Sequence, residues 1–174
     1  MKKIILICTF LAASTTSFGQ SVFDKYDGQD DVKAIIVNKK MFQLMSNVKM
    51  DIKDNDAQQF VSLIKKLDNL KVFTTSSVRA TNEMKATATQ HIKSAGLEEL
   101  MRISDSGKNI KIMVKSGATT SQIKELLMFI EGSGKENETV LMSLTGDFDL
   151  DEISVLTDKM KIPGGDALKK AAKK

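Results

Sequence analysis

Apolar residues recur along the chain with two different periods, and these periods separate the predicted helices from the predicted strands. Residues 32–37 are short, apolar and β-branched, which predicts a first strand. Asn38 caps a following helix whose apolar residues are Met41, Phe42, Met45 and Val48. After residue 56 a second helix has its apolar residues at i, i+3, i+4 and i+7, namely Phe60, Leu63, Ile64 and Leu67.

The middle of the chain predicts one strand, one helix and a hairpin. Residues 70–75 have the composition of a strand, and residues 79–95 form an Ala- and Thr-rich helix that ends at Gly96. Residues 97–104 and 109–115 lie on either side of an Asp-Ser-Gly-Lys turn. Two apolar runs around such a turn predict an antiparallel hairpin.

Residues 121–131 fit either a helix or a strand, and their neighbours favour a strand. A polar loop joins them to residues 139–145, a clear strand, so a hairpin explains why both runs are apolar on each face. Asp149 then begins a last helix, with Glu152 at the capping-box position. The order of elements predicts an α+β fold, a two-layer sandwich of a mostly antiparallel sheet with helices packed on one face.

Residues 1–19 have the three parts of a secretory signal peptide: a basic start, an apolar stretch and a small-residue exit. The apolar stretch is shorter than the roughly 20 residues that span a bilayer. Cys8 lies in the middle of this stretch, so it is not positioned for lipidation. Cleavage after Gly19 leaves Gln20 at the N-terminus of an exported protein, periplasmic or secreted and soluble, with no transmembrane segment. The alternative is a buried N-terminal helix or strand.

The rest of the chain predicts a single α+β domain over residues 20–162 and a basic, disordered tail over residues 163–174. The first residues of the domain form a polar leader, which we expect to be solvated. Its acidic residues are Asp24, Asp27, Asp30 and Asp31.

Charge and composition exclude several classes of protein. The formal net charge of +4 includes two lysines of the predicted signal peptide and four of the tail, so no concentrated basic face for nucleic acid is expected. The chain has one cysteine and one histidine, which excludes a zinc or transition-metal site of ordinary composition. His91 falls near the end of a helix, where a surface role is the simplest interpretation. No nucleophile elbow or phosphate-binding loop occurs, and no cofactor is expected.

The segment 147–152 carries the densest group of carboxylates in the sequence. Asp147, Asp149 and Asp151 alternate like positions 1, 3 and 5 of a calcium loop, which makes them weak calcium candidates. The pattern fails at Glu152, where such a loop has glycine. Capping of the last helix also explains Asp149 and Glu152, because carboxylates are favoured at helix N-termini.

The chain resembles a family of Bacteroidetes exported proteins known as domain of unknown function 4252. The resemblance extends over about residues 22–162 and lies mainly in core patterns, at residues 38–45, 64–72, 99–102, 124–128 and 140–153. It implies a bacterial envelope protein of unknown activity, and it implies no catalytic residues. Some members are lipoproteins, and this chain differs from them because no cysteine ends its signal peptide.

These observations favour a non-catalytic module that binds another envelope protein or a small ligand. The first alternative is a carboxylate-dependent hydrolase or isomerase that uses Asp147, Asp149, Asp151 and Glu152. The second is a calcium-stabilised adhesion protein. A cleft lined by polar groups favours a ligand or an enzyme, and an exposed apolar patch favours a protein partner.

Overall fold

The computed structural model describes residues 21–47, 55–105, 107–119, 121–132, 138–153, 156 and 166–168. The predicted signal peptide, Cys8 and Val48 lie outside the described residues. Six strands form one sheet: β1 Lys33–Asn38, β2 Leu67–Thr75, β3 Glu98–Asp105, β4 Lys108–Ser116, β5 Gln122–Glu131 and β6 Thr139–Asp149. The helices are α1 Lys39–Ser46, α2 Asn55–Lys66 and α3 Val78–Ala95, with single 3-10 turns at Asp24–Tyr26 and Leu150–Glu152.

The sheet order is β1-β2-β6-β5-β4-β3, so two parts of the chain, β1–β2 and β3–β6, are joined where β2 pairs with β6. All five pairings between neighbouring strands are antiparallel. Helix α3 connects β2 to the far edge at β3, and β3 to β6 then return strand by strand until β6 pairs with β2. An 18-residue helix is about 27 Å long. That length covers the four strand spacings, about 19 Å in all, between β2 and β3.

Successive residues of the central strands enter two separate cores, one on each face of the sheet. On the first face, α1 and α2 contribute Phe42, Phe60 and Leu63. On the second face, α3 contributes Ala80, Met84 and Ala88. The alternation is clear in β5, where Leu126, Met128 and Ile130 enter the first core and Leu127 and Phe129 enter the second.

The prediction of an α+β fold with an antiparallel sheet is confirmed. The structure differs from the prediction in its layers, because helices cover both faces of the sheet rather than one. The physical reason is that β5 and β6 are apolar at successive positions. Strands of that kind must be shielded from water on both sides.

Local signals in the sequence set several element ends. The side chain of Asn38 accepts a hydrogen bond from the Met41 backbone N–H at 3.0 Å, and Gly96 ends α3 in the left-handed conformation. Asp149 and Glu152 form the predicted capping box around the 3-10 turn. Residues 121–131, which fitted either a helix or a strand, contain strand β5, as their neighbours in the sequence predicted.

Part of the acidic leader is packed against the second face, which corrects the expectation of a solvated segment, whereas Asp27 and Asp30 are exposed as expected. Phe23 and Tyr26 are completely buried, and the Tyr26 hydroxyl donates to Thr87 Oγ1 of α3 at 2.7 Å. The buried ammonium of Lys71, on β2, donates to the Asp24 carboxylate. The free energy gained by burying two aromatic rings offsets the conformational entropy that this segment loses when it is ordered. Composition alone did not reveal this burial.

Part of the predicted disordered tail also contacts the core. Ala167 and Leu168 are 5% and 1% exposed and belong to the first core, together with Ile153 and Leu156. The structure differs from the prediction at these two residues, because their apolar side chains are buried in the first core although lysines follow them in the sequence. Within the described part of the chain, no helix is both long and apolar enough to cross a membrane.

We expect the contact between Asp24 and Lys71 to anchor the N-terminal segment. Asp24→Asn should lower the free energy of unfolding by about 1 to 3 kcal/mol, because it leaves a buried ammonium without its counter-charge. Chemical denaturation of the variant and the parent measures this difference. Asp27→Asn is the matched control, since Asp27 is exposed, and it should change stability by less than about 0.5 kcal/mol. Equal effects of the two changes would contradict the anchoring role.

Candidate functional site

Asp147, the first carboxylate of the 147–152 segment, lies on β6 and pairs with its neighbours on β5. It is exposed, its Oδ2 accepts a hydrogen bond from Lys124 Nζ at 2.7 Å, and its Oδ1 accepts one from the Gln122 side-chain amide. The hydrogen bond from Lys124 is the main reason that the pKa of Asp147 lies below its ordinary value. Asp147 is therefore held as a carboxylate by its cross-strand neighbours.

Asp149 and Glu152 pair with a different lysine, at the end of α2. Lys66 Nζ donates to both carboxylate oxygens of Glu152, at 2.8 and 2.9 Å, and lies 3.7 Å from Asp149 Oδ2. The hydrogen bond to Glu152 raises the pKa of Lys66 above its ordinary value. Asp149 also accepts a hydrogen bond from the Ser121 hydroxyl at 3.2 Å. These contacts attach the turn after β6 to α2.

The predicted carboxylate group thus divides between two lysines. A calcium loop or an acid–base pair requires several carboxylates that face one point. Asp147 faces Lys124, whereas Glu152 faces Lys66, and Asp151 is exposed. Within the described ranges, no group of three or more His, Cys, Asp or Glu residues is arranged to hold a metal ion. The geometry gives Asp149 and Glu152 a role in capping and Asp147 a role in cross-strand pairing.

His91 forms a half-buried pair that the sequence interpretation missed. Its Nε2 lies 2.6 Å from Glu125 Oε1 on β5, and the two side chains are 18% and 13% exposed. The ring of Phe23 packs edge-on against the imidazole, with the ring centroids 5.1 Å apart. The surface role predicted for His91 is corrected accordingly. No local signal identified Glu125, because it lies 34 residues further along the chain.

Shallow depressions border α3 and the N-terminal segment, and in two of them polar groups already have hydrogen-bond or ion-pair partners. One depression of about 310 Å³ contains Thr81 and Thr139, whose hydroxyl groups are 2.8 Å apart. Another, of about 300 Å³, contains Asp31, which pairs with Arg79 at 3.1 Å. Polar groups that already have partners gain little from a ligand, because binding would first break those hydrogen bonds.

The most exposed apolar group in the described chain includes strand β1 and helix α1. We define the β1 edge surface as four exposed residues, Ile35, Ile36, Met41 and Leu44. Their exposed fractions are 52%, 42%, 51% and 54%, respectively. Met41 and Leu44 are three residues apart and therefore lie on one stripe of α1. Ile35 and Ile36 point to opposite faces of an edge strand, so this edge is apolar on both sides.

The opposite edge of the sheet has the features that discourage strand pairing. The register of β3 with β4 is interrupted between Glu99 and Met101. Glu99 and Arg102 are exposed and form an ion pair at 2.5 Å. Bulges and charges are the usual protection of edge strands. By contrast, β1 pairs with β2 in an uninterrupted register over all six residues.

In the described part of the chain, fold and surface define an α+β protein whose sheet is packed on both faces and whose β1 edge has exposed apolar side chains. The model of the family described as Domain of unknown function (DUF4252) matches residues 26–156, and the chain belongs to this family. No curated protein and no solved structure matches the chain. The match confirms the expected domain family over the greater part of the chain.

The lowered pKa of Asp147 predicts a specific pH dependence. Because the folded pKa lies below the ordinary value of 3.8, ionised Asp147 stabilises the fold above the unfolded pKa. This contribution is lost as the pH falls through the folded pKa. In a carboxyl NMR titration we expect the midpoint of Asp147 below 3.8, and Lys124→Met should raise it towards that value. An unchanged midpoint in the variant would show that Lys124 is not the cause.

Proposed function

We propose that this protein is an exported component of the bacterial envelope that acts as a non-catalytic interaction module. The observation that carries the proposal is the β1 edge surface, where apolar side chains flank an edge strand. Exposed apolar patches next to an unpaired strand are typical of protein-binding sites. The partner in this proposal is therefore a protein.

The proposed export rests on the sequence of residues 1–19. Their basic, apolar and small-residue parts occur in the order that a signal peptidase recognises. Removal of this segment would also remove Cys8, the only cysteine. The resemblance to Bacteroidetes exported proteins supports an origin in that group. Since Cys8 is not at the end of the apolar stretch, we propose a periplasmic or secreted protein without a lipid anchor.

A non-catalytic role is supported by the way the described ionisable groups are used. The three carboxylates Asp147, Asp149 and Glu152 bond to lysines or cap a turn. His91 pairs with Glu125, and the ring of Phe23 packs edge-on against its imidazole. A general base needs an unobstructed approach to its substrate. In two of the depressions, Thr81 and Asp31 already have partners, which favours a protein partner over a small ligand there.

Export predicts a defined N-terminus for the chain recovered from the cell envelope. Mass spectrometry of the N-terminal peptide should find Gln20 first. Gly19→Leu should leave the precursor uncleaved, because signal peptidase requires a small side chain at this position. Phe18→Leu is the matched control and should be processed normally. An unprocessed chain that begins at Met1 and remains in the cytoplasm would contradict export.

The role of the β1 edge surface predicts site-specific crosslinks in living cells. A photoreactive amino acid at Ile36 or Leu44 should give a discrete crosslinked protein band. The same group at Val78 should not, although Val78 is the more exposed side chain at 69%. Crosslinks of equal strength at all three positions would indicate non-specific contact. No crosslink at Ile36 or Leu44 would contradict an interaction through this surface.

A further inference from the structure

The start of the described chain lies in a groove on the second face of the sheet, between α3 and β2. We define the strap as residues 21–26. The ring of Phe23 packs edge-on against His91 of α3, with the ring centroids 5.1 Å apart. The ring of Tyr26 packs in the same way against Phe73 of β2, at 5.7 Å. The strap therefore contacts both sides of the groove.

Two polar groups of the groove bond to the strap. The Tyr26 hydroxyl donates to Thr87 Oγ1 of α3 at 2.7 Å, and the buried ammonium of Lys71 on β2 donates to the Asp24 carboxylate. The second core, which includes Tyr26, supplies the apolar part of the groove. An apolar groove with a few polar groups that face its occupant has the composition of a ligand-binding site.

Both sides of the groove are held in place without the strap. Strand β2 pairs with β1 and β6. Helix α3 packs on the sheet through Met84 and Ala88. Three side-chain pairs also join α3 to β5 and β6, namely Thr81–Thr139 at 2.8 Å, Lys85–Glu131 at 2.7 Å and His91–Glu125 at 2.6 Å. Because these pairs are distributed along α3, the helix does not need the strap to keep its position.

A separate anchor lies between the strap and β1. The Thr75 hydroxyl donates to the Asp31 backbone carbonyl at 2.6 Å, and Arg79 pairs with the Asp31 carboxylate at 3.1 Å. Residues 27–30 join this anchor to the strap, and Gly28 adopts the left-handed conformation there, with φ of 78°. Release of the strap therefore leaves Asp31 and β1 in place.

We propose that the strap blocks a peptide-binding groove, and that the groove binds a segment of a partner protein when the strap leaves it. The chemistry of that segment follows from the strap itself: an aromatic ring, a carboxylate next to it and a tyrosine two residues further on. Because the strap belongs to the same chain, it competes at an effective concentration on the order of millimolar. The inference goes beyond the proposed function, since the groove lies on the second face and not at the β1 edge surface.

Binding of a free peptide tests the groove. In the full chain, Phe23→Ala with Tyr26→Ala removes both rings of the strap. We expect a labelled peptide of residues 21–31 to bind this variant at least about tenfold more tightly than the parent in fluorescence anisotropy, because the strap no longer competes. Val22→Ala with Lys25→Ala changes two exposed residues of the same segment and is the matched control. It should bind the peptide no more tightly than the parent.

Substitutions in the peptide test the recognition of its carboxylate. The peptide with Asp24→Asn should bind the ring-deleted variant at least about tenfold more weakly, because it no longer offers a counter-charge to Lys71. The peptide with Asp27→Asn is the control, since Asp27 is exposed, and its affinity should be unchanged. Equal affinities of these two peptides would overturn the recognition of a carboxylate by Lys71.

Hydrogen exchange of the parent protein tests release of the strap without any substitution. The backbone N–H groups of Asp24 and Tyr26 donate to Ser21 and Phe23 carbonyls, at 2.9 and 3.1 Å. We expect these amides to exchange at least about tenfold faster than the amides paired in the centre of β2, because the strap opens locally. Equal protection would show that the strap opens only with the whole domain, and it would overturn the inference.

The remaining outcomes are also decisive. Loss of the folded state in Phe23→Ala with Tyr26→Ala, seen by circular dichroism, would overturn the inference because it makes the strap an integral part of the core. A folded variant that does not bind the peptide would overturn the groove. A parent protein that forms a stable dimer by exchanging straps, seen by sedimentation, would overturn a partner from another protein. The crosslinks at the β1 edge surface are independent of all these results, so failure of this inference is distinguishable from failure of the proposed function.

Discussion

The pairing of β2 with β6 is the interaction on which the rest of the structure depends. These strands are the second and third of the six in the sheet and share eight paired positions, although they lie far apart in the chain. Without this ladder, β1, α1 and α2 would not share a core with the β3–β6 meander. The close approach at its end requires Gly146, where a Cβ atom would lie 2.9 Å from Leu67 Cα and still closer to the Lys66 carbonyl oxygen. The register of β2 with β6 sets Gly146 opposite Leu67, and the close contact at this point explains why residue 146 is a glycine.

A central ladder that is buried on both faces also determines what the charged residues do. On β2, Lys71 pairs with Asp24 of the N-terminal segment. The last residue of α2, Lys66, pairs with Glu152 in the turn after β6. His91 joins α3 to Glu125 of β5 in the same way. Charged pairs of this kind fix the segments that cover the sheet. Asp147 and Glu152, in the segment that resembles a calcium loop, form ion pairs of the same kind with Lys124 and Lys66.

The two edges of the sheet differ in the features that protect an edge strand from pairing. Five antiparallel pairings satisfy the backbone groups of the inner strands and leave two edge strands, β1 and β3. The β3 edge is interrupted by a bulge and carries the Glu99–Arg102 pair. The β1 edge has a regular register and exposed isoleucines, and α1 extends its apolar surface. This asymmetry between the two edges is the observation on which the proposed interaction module rests.

Local features of the sequence determined the elements and several of their ends. Asn38 and Gly96 act on their own neighbours, and the periods of 3.6 and 2 residues are visible within a short window, so helices, strands and the α+β class followed from them. The layer on each face was decided only in the tertiary structure, because periodicity shows that a face is buried but not what covers it. The same holds for the Asp24–Lys71 and His91–Glu125 pairs, which are 47 and 34 residues apart in the chain. The open β1 edge is likewise a property of the complete sheet, since a strand becomes an edge only when the order of all the others is fixed.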